Sequence, residues 1–342
     1  MPSDKVSGDN RSIVTLGHGS GGRLTRDLID LFARHLENPF LDARNDQATL
    51  SWEGKRLSLT TDSFVVSPLF FAGGNIGSLA VYGTVNDLAV GGARPLYLSA
   101  GFIIEEGLPL AALESVVESM AEAARTAGVH VVTGDTKVVE RGKADGLFIN
   151  TTGVGAVPAD VAPSVERVVP GDAVILSGSI GEHGVAVMAK RLNLESGVRS
   201  DAAPLTALVE RMLEACPSIH AMRDPTRGGL ATALCEIAEA AGVAVEVEEE
   251  KIPVSDDVAN ACEILGLDPL YVANEGKLLA FVPPERAEAV LRAMRGHPLG
   301  REACRIGRVV KRSEGGGVSM NTRAGGKRQI SVLSGELLPR IC

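Results

Sequence analysis

The stretch IGSLAVYGTVNDLAV, residues 76–90, predicts a helix of small and apolar residues that carries an Asn-Asp pair inside its apolar pattern. Before it, RLSLTTDS (residues 56–63) alternates apolar and polar residues and predicts a strand that ends near Asp62. A second strand is predicted at residues 96–104. The order of strand, helix and strand indicates an α/β domain, in which the carboxylate of Asp87 needs a partner.

The same alternation continues along the chain. Residues 109–128 predict a helix that begins near a proline and ends at a glycine. VHVVTG (residues 129–134) predicts a buried strand, and GDTKVV (residues 134–139) is expected to leave it as a loop. LFINTTGVGAV (residues 147–157) is rich in β-branched residues and predicts a further strand. The first domain is therefore expected to contain strands and helices joined by short turns.

A cluster of prolines in residues 158–171 predicts a domain boundary. Beyond it, DAVILSGSI (residues 172–180) predicts a strand, and helices are expected at residues 181–192 and 228–241. The chain of 342 residues is long enough for two domains.

Three later segments have simple structural interpretations. Residues 246–251 are rich in charge and predict a solvated strand at the edge of a sheet. The glycine runs at Gly315 and Gly325 predict hairpin turns between late strands.

The composition excludes several classes of protein. Charged residues make up 23% of the chain, the formal net charge is −9, and no Lys/Arg block is dense enough to follow a nucleic-acid backbone. The polar amino terminus has no apolar signal region, and no stretch is long enough to span a bilayer, so we expect a cytoplasmic protein. Any nucleotide ligand would need local donors or metal ions.

The five cysteines form no CxxC pair, which indicates neither a zinc site nor a disulfide framework. Four of them lie in apolar or helical contexts and are expected to be buried and inert: Cys216, Cys235, Cys262 and Cys304. Cys342 differs, because nothing follows it in the sequence to pack over it.

Four aspartates lie at the end of an element or in an apolar context: Asp62, Asp87, Asp135 and Asp224. A buried carboxylate is costly unless a cation or donors compensate it, and oxygen ligands suit Mg²⁺, which keeps positions for phosphate and water. Each aspartate taken alone is equally compatible with capping a turn. Convergence of the four in space would distinguish the two interpretations.

Two glycine-rich motifs are candidate anion sites. GHGSGG (residues 17–22) precedes a predicted helix at residues 24–36 and could hold phosphates on its backbone N–H groups, although a flexible surface turn fits equally. DPTRGG adds Arg227, whose fork of donors suits a phosphate oxygen but is as typical of a solvated cap.

Two further side chains are candidates for catalysis. Lys137 lies two residues beyond Asp135 and could point to the same side of the chain, or could form an ordinary surface salt bridge with it. Glu275, in NEGK, lies in a polar turn between two apolar segments. It could act as a general base, or be an ordinary turn residue.

The sequence closes with PRIC, in which a proline precedes an arginine and a thiol. The carboxylate of Cys342 itself disfavours a thiolate, so a cation such as Arg340 or a metal site would have to offset that repulsion. A last residue without a role is the other interpretation.

Taken in order, GHGSGG, TTDS, VNDLA, GDTKVV, DPTRGG, NEGK and PRIC closely resemble the motifs of the hydrogenase expression/formation protein HypE family, over nearly the whole chain. The position of Gly17, where alanine is expected, is a small departure. The resemblance implies the superfamily of aminoimidazole ribonucleotide synthetase, selenophosphate synthetase and thiamine-monophosphate kinase, which handles ATP with aspartate-bound Mg²⁺. It also implies an α/β (α+β) fold of two domains, each a mixed sheet packed with helices.

The resemblance divides the chain into an ATP-binding and dimerisation domain (residues 1–160), a second α/β domain (residues 168–333) and a mobile tail with the reactive cysteine (residues 334–342). It implies a homodimer in which amino-terminal strands of both subunits form a barrel. The carbamoyltransferase HypF would carbamoylate Cys342, and ATP-dependent dehydration would turn the thiocarboxamide into a thiocyanate. The HypC-HypD scaffold complex would accept the cyanide for the iron of [NiFe] hydrogenase.

The resemblance also implies roles for individual residues. Catalytic roles fall to Cys342, Glu275 and Lys137. The metal ligands would be Asp62, Asp87, Asp135 and Asp224. ATP would be bound by Gly19, Ser20, Gly21, Gly22, Asp62, Asp87, Asp135, Asn150 and Arg227.

Three alternatives stay open at this point. A selenophosphate synthetase would carry its reactive residue near the amino terminus, whereas the first cysteine here is Cys216. A thiamine-monophosphate kinase would leave the thiol of Cys342 unused, and a non-catalytic scaffold would use it only to dock a partner.

Overall fold

The computed structural model describes residues 22–23, 26, 48–52, 55–333 and 338–342. The predicted helix at residues 24–36 and most of the GHGSGG motif, with Gly19, Ser20 and Gly21, lie outside the described residues. Gly22 is the member of that motif that the structure describes, and it is buried.

The described residues form strands and helices that alternate along the chain. The strands are β1 (Ala48–Trp52), β2 (Lys55–Phe64), β3 (Phe70–Phe71), β4 (Gly74–Asn75), β5 (Arg94–Glu105), β6 (His130–Val139), β7 (Leu147–Val157), β8 (Ala173–Leu176), β9 (Ala221–Arg223), β10 (Val243–Glu248), β11 (Leu279–Val282), β12 (Cys304–Arg312), β13 (Gly317–Asn321) and β14 (Lys327–Ile330). The α-helices are α1 (Ile76–Val90), α2 (Leu110–Ala127), α3 (Glu182–Arg191), α4 (Thr206–Ala215), α5 (Gly229–Ala241), α6 (Asp256–Leu265) and α7 (Ala287–Arg295).

The first sheet has the order β1-β2-β7-β5-β6. Its neighbours are antiparallel except β5 and β6, which are parallel and joined through α2. The helix α1 begins at Asn75, whose side chain accepts hydrogen bonds from the N–H groups of Gly77 and Ser78, and it packs on the inner face of the sheet. The predicted helix at residues 76–90 and strand at residues 147–157 are confirmed.

The strand β6 corrects two predictions about residues 129–139. GDTKVV does not leave the strand, because its residues continue the pairing with β5 as far as Val139. The strand is also not buried: nearly all of its residues are exposed, since β6 lies at the edge of the sheet. The polar residues of this segment are therefore held in extended backbone.

The second sheet has the order β14-β13-β10-β12-β8-β11-β9. Residues 246–248 lie in β10, an interior strand between β13 and β12, so the prediction of an edge strand is wrong. The turn at Gly315 is not a hairpin turn. It connects β12 to β13, and these two strands are not neighbours because β10 lies between them. The turn at Gly325 joins the antiparallel pair β13 and β14, as predicted.

Helices cover both faces of the second sheet. The interior strands β8 and β11 are fully buried, and their alternate residues belong to two separate apolar clusters. One cluster contains α5, and the other contains α4 and α7. The predicted class, mixed sheets packed with helices, is confirmed, and none of the helices in the described ranges is long and apolar enough to cross a membrane.

The side-chain amide of Asn86 links α1 to the second domain through hydrogen bonds. The Nδ2 group of Asn86, 1% exposed, donates to the carbonyls of Ala203 (3.0 Å) and Glu275 (3.1 Å). Its Oδ1 accepts from the N–H of Leu205 (2.8 Å). The polar residue in an apolar helix therefore satisfies three buried backbone groups across the seam between the two domains.

We expect Asn86→Ala to destabilise the protein by about 2–4 kcal/mol, because it leaves these buried groups without their partner. In thermal unfolding, Tm should fall by roughly 3–6 °C. Asn260→Ala, an exposed asparagine of α6, is the matched control and should change Tm little, since alanine favours helices. Equal Tm values for the two variants would contradict the importance of this amide.

Candidate active site

Residues 338–342, here called the tail, are inserted between the two domains. Leu338, Ile341 and Cys342 belong to the apolar cluster that also contains α1 and α3 residues, and Cys342 is 7% exposed. The expectation that nothing packs over Cys342 is therefore wrong, because distant parts of the chain cover it. The mobility of the segment at residues 334–342 stays a prediction.

The tail backbone pairs with the residues that follow β2. The N–H of Val65 donates to a main-chain oxygen of Cys342 (3.1 Å), and the N–H of Ser67 donates to the carbonyl of Arg340 (3.2 Å). Arg340 has a φ of +50°, in the left-handed region that few residues other than glycine adopt. The backbone turns there while it keeps both hydrogen bonds.

Two side chains of α3 complete the contacts with the tail backbone. His183 is fully buried, and its Nε2 donates to the carbonyl of Ile341 (2.8 Å) while Nδ1 lies 2.8 Å from the hydroxyl of Ser200. A carbonyl only accepts, so Nε2 carries the proton. Burial lowers the pKa of His183, which favours this neutral form. Arg191 donates to the carbonyl of Pro339 (2.7 Å).

The cation beside the thiol is Arg227, and not Arg340, which was one of the two candidates alongside a metal site. The Nη1 group of Arg227 lies 3.6 Å from the Sγ of Cys342. Arg340 instead pairs with Asp145 and donates to the carbonyl of Val65. Burial raises the pKa of the Cys342 thiol to about 11, although Arg227 acts in the opposite direction. The docked sulfur is therefore a protonated thiol at neutral pH.

Glu275 lies in the same buried pocket and is 2% exposed, which sets it apart from an ordinary turn residue. Its Oε1 has no hydrogen-bond partner among the described residues. Burial, followed by the charges of Asp224, Asp201 and Asp62, raises its pKa well above the usual range. A carboxyl group with a raised pKa in a pocket is typical of a general acid or base.

Asp201 positions this acid, and no motif in the sequence pointed to it. Its carboxylate accepts from the N–H groups of Glu275 and Gly276, each at 3.1 Å, and from the Nζ of Lys277 at 3.1 Å. Through these contacts, Asp201 holds the loop that contains Glu275 in place.

Two of the predicted aspartates lie together on the inner face of the first sheet. The Oδ2 of Asp62 accepts from the hydroxyl of Thr84 (3.2 Å), and the Oδ2 of Asp87 accepts from that of Thr60 (2.6 Å). Asp87 therefore has the partner that its apolar surroundings required. Asp224 is buried, and its charge, like that of Asp62, raises the pKa of Glu275, which places both near the pocket.

Three other predicted residues lie on the opposite, outer face of the sheet. Asp135 in β6 and Asn150 in β7 are both in register with Gly101 in β5, so their side chains point to the same face of the sheet. The Nζ of Lys137 lies 3.1 Å from Asp135, both side chains are 70% exposed, and this contact lowers the pKa of Asp135. The structure thus places Asp135 on the opposite face of the sheet from Asp62, so the four aspartates do not converge on one face.

Mg²⁺ fits the donor chemistry of the inner face. Within the part of the chain that the structure describes, no group of three or more His, Cys, Asp or Glu side chains forms a cage for a metal. Mg²⁺ usually takes one or two carboxylates and completes its shell with phosphate and water, so the oxygens of Asp62 and Asp87 suffice as protein ligands.

The remaining cysteines differ in burial. Cys216 and Cys262 are buried as predicted, whereas Cys235 and Cys304 are only partly buried. Burial raises the pKa of Cys235 and of Cys262 to about 11, so the prediction of inert thiols is supported there.

Comparisons with known proteins agree with this architecture. The family model of the AIR synthase related protein N-terminal domain matches residues 44–157, and that of the C-terminal domain matches residues 169–319. The chain is 58% identical to carbamoyl dehydratase HypE of Azotobacter vinelandii, over 96% of this chain and 97% of that protein.

Two solved structures superpose on most of the chain. A HypE-HypF complex gives a TM-score of 0.84 at 45% identity and covers 90% of this chain and 99% of the matched one. The hydrogenase maturation protein HypE in complex with ATP gives 0.82 at 52% identity and covers 96% and 100%. The chain thus belongs to the HypE family of carbamoyl dehydratases, with the two-domain fold of the AIR synthase related proteins.

Proposed function

We propose that the protein dehydrates an S-carboxamide on Cys342 to a thiocyanate at the expense of ATP, and so supplies cyanide ligands for the iron of [NiFe] hydrogenase. One observation carries the proposal: the sulfur of Cys342 is buried beside Arg227 in the pocket that contains Glu275, a buried acid with a raised pKa. A kinase of the same superfamily has no use for a thiol held in this position.

The chemistry needs an activated oxygen and a base. The carboxamide oxygen attacks the γ-phosphorus of ATP and releases ADP, while one N–H proton leaves. Loss of the second N–H proton then forms the carbon–nitrogen triple bond and breaks the bond between carbon and the phosphorylated oxygen, which departs as phosphate. The sulfur keeps its bond to carbon throughout.

Glu275 is the proposed base for the N–H protons. A raised pKa makes its carboxylate a stronger base than an exposed glutamate, and its Oε1 has no partner among the described residues. Arg227 stays protonated, because the ordinary pKa of arginine already lies far above neutrality, and Cys342 once ionised, followed by Asp62, raises the pKa of Arg227 further. It can stabilise the negative charge that develops beside the sulfur.

The ATP site is proposed from the family motifs. Mg²⁺ would be held by Asp62 and Asp87, with Asp224 nearby, and would neutralise phosphate charge. Asp135 and Asn150, which lie on the outer face of the sheet, are proposed to contact ATP, and Lys137 on the same face is proposed to stabilise the charge that develops during dehydration of the docked thiocarboxamide. Gly19, Ser20, Gly21 and Gly22 complete the proposed phosphate contacts.

The partners are likewise proposals. A carbamoyltransferase of the HypF type would load Cys342, and the solved complex of a related HypE with HypF supports this. The tail has to leave its pocket for loading, because the docked thiol is 7% exposed. A HypC-HypD type scaffold would accept the cyanide. We place these reactions in the cytoplasm.

A homodimer is proposed from the outer face of the first sheet. Leu57, Leu59 and Val154 lie on this face, with Tyr97 and Ile103, which are 50% and 45% exposed. A partly exposed apolar face of this kind is typical of an interface between proteins. A second copy would cover it and bring two outer faces together.

Glu275→Gln should slow dehydration of a carbamoylated tail by roughly 10²- to 10⁴-fold, because the amide cannot accept the proton. Intact-mass spectrometry would follow the protein after incubation with HypF, carbamoyl phosphate and Mg-ATP. The variant should gain the carbamoyl group and keep it, whereas the wild type then loses water. Glu246→Gln, at a surface ion pair, is the control and should behave as the wild type. Full dehydration by Glu275→Gln would falsify the assignment of the base.

The pH dependence of dehydration should report the raised pKa of Glu275. The active base is the deprotonated form, so the single-turnover rate should fall as the pH falls through a pKa well above 4.5, the ordinary glutamate value. Rates would be measured on pre-loaded protein at saturating Mg-ATP. A rate that declines only near pH 4.5, or the same decline in Glu275→Gln, would rule out this origin.

Tyr97→Glu should dissociate the proposed dimer, because it places a charge on the outer face. The molar mass in solution would be measured by size exclusion with light scattering. Val310→Glu, on the second sheet and 42% exposed, is the matched control and should leave the mass unchanged. A wild-type protein that elutes as a monomer contradicts the dimer.

A further inference from the structure

Arg191, in the last turn of α3, lies where the first domain meets the tail. Its Nε donates to the carbonyl of Ser67 (2.8 Å), which follows β2. Its Nη1 donates to the carbonyl of Pro339 (2.7 Å), and its Nη2 donates to that of Arg340 (2.8 Å). One guanidinium group of the second domain thus binds both the first domain and the tail.

The donors of α3 hold three consecutive carbonyls of the tail. Arg191 binds those of Pro339 and Arg340, and His183 binds that of Ile341. Every acceptor is a main-chain oxygen, and neither donor contacts the sulfur of Cys342. The contacts are therefore indifferent to what the sulfur carries.

We propose that Arg191 is the positioning residue that keeps the tail in its pocket, and that it does so by binding the tail backbone. Hydrogen bonds from a charged donor are stronger than those from neutral groups, and Arg191 makes them to two tail carbonyls at once. Without it, the carbonyl of Pro339 would lose this donor in a partly buried site, and that of Arg340 would keep the N–H of Ser67 but lose its charged donor. The equilibrium between docked and released tail then moves towards release.

On the proposed function, the same contacts hold the tail with a thiol, a carboxamide or a thiocyanate, since none of these groups alters the carbonyls. Arg191 would then set the position of the carboxamide relative to Glu275. Docking itself does not depend on that function and can be measured on the unmodified protein.

The measurement is alkylation of Cys342 by iodoacetamide in the full-length protein, without ATP or a partner. Glu-C cleaves after Glu336 and releases a peptide that contains Cys342 but no other cysteine. Because reagent reaches the thiol only from the released tail, the labelling rate reports the released population. Cys216, 0% exposed in the opposite cluster of the second domain, serves as internal reference for general unfolding.

Arg191→Met should raise the labelling rate of Cys342 by roughly 10- to 100-fold and leave that of Cys216 unchanged. Arg191→Lys, which retains the charge but not the fork of donors, should give an intermediate rate. Lys190→Met is the matched control, because it removes an exposed cation from the same helix end, and it should match the wild type.

Two results would overturn the proposal: a Cys342 rate in Arg191→Met equal to that of the wild type, or a parallel rise at Cys216, which would indicate general loosening. A second measurement separates this proposal from the proposed function. Carbamoyl loading by HypF should be undiminished in Arg191→Met while dehydration slows. Absence of dehydration even in the wild type would overturn the function and leave the labelling result, and with it the role of Arg191, intact.

Discussion

The carbonyl groups of the tail enter a buried seam, and each of them needs a donor there. The donors come from two places that are far apart in sequence. Val65 and Ser67, after β2, supply backbone N–H groups, and α3 supplies His183 and Arg191. Neither domain alone offers the complete set. The pocket therefore exists only when both domains have folded and their seam has closed, which gives the seam contacts of Asn86 a role in the site as well as in stability.

The same burial determines the charge state of the pocket. Arg227 is a permanent cation, whereas burial favours the neutral forms of Cys342 and Glu275. A docked thiol is thus unreactive, and Glu275 can accept a proton only in its deprotonated form, which burial makes more basic. In a medium of low dielectric, a charge that develops near Arg227 is stabilised more strongly than it would be in water. These properties suit the proposed function, in which the sulfur carries the substrate in this pocket and is not the nucleophile of the dehydration.

Local patterns in the sequence predicted many helices and strands, but they did not predict which strands pair or which side chains come into contact. The helix at residues 76–90 and the strand at residues 147–157 follow from periodicity alone. The interior place of β10 could not be predicted, because strand order depends on pairing between distant residues. The motifs identified Arg227 and Glu275, but the burial that perturbs Glu275 comes from the whole fold. Asp201, His183 and Arg191 occur in no motif, and only their contacts reveal them.

Asp62 and Asp135 lie on opposite faces of the first sheet, because successive side chains of a strand point to opposite faces. Asp62 points to the inner face, while Ser63 and its neighbour Asn150 point outward. The Nδ2 of Asn150 donates to the backbone carbonyl of Asp62 (2.7 Å). A side chain of the outer face is therefore hydrogen-bonded to the main chain of the residue whose carboxylate lies on the inner face. β2 ends two residues later, and Val65 at once binds a main-chain oxygen of Cys342. The end of the tail thus lies beside the end of β2, and on the proposed function this strand end is where a phosphate on the outer side would have to reach the group on the sulfur.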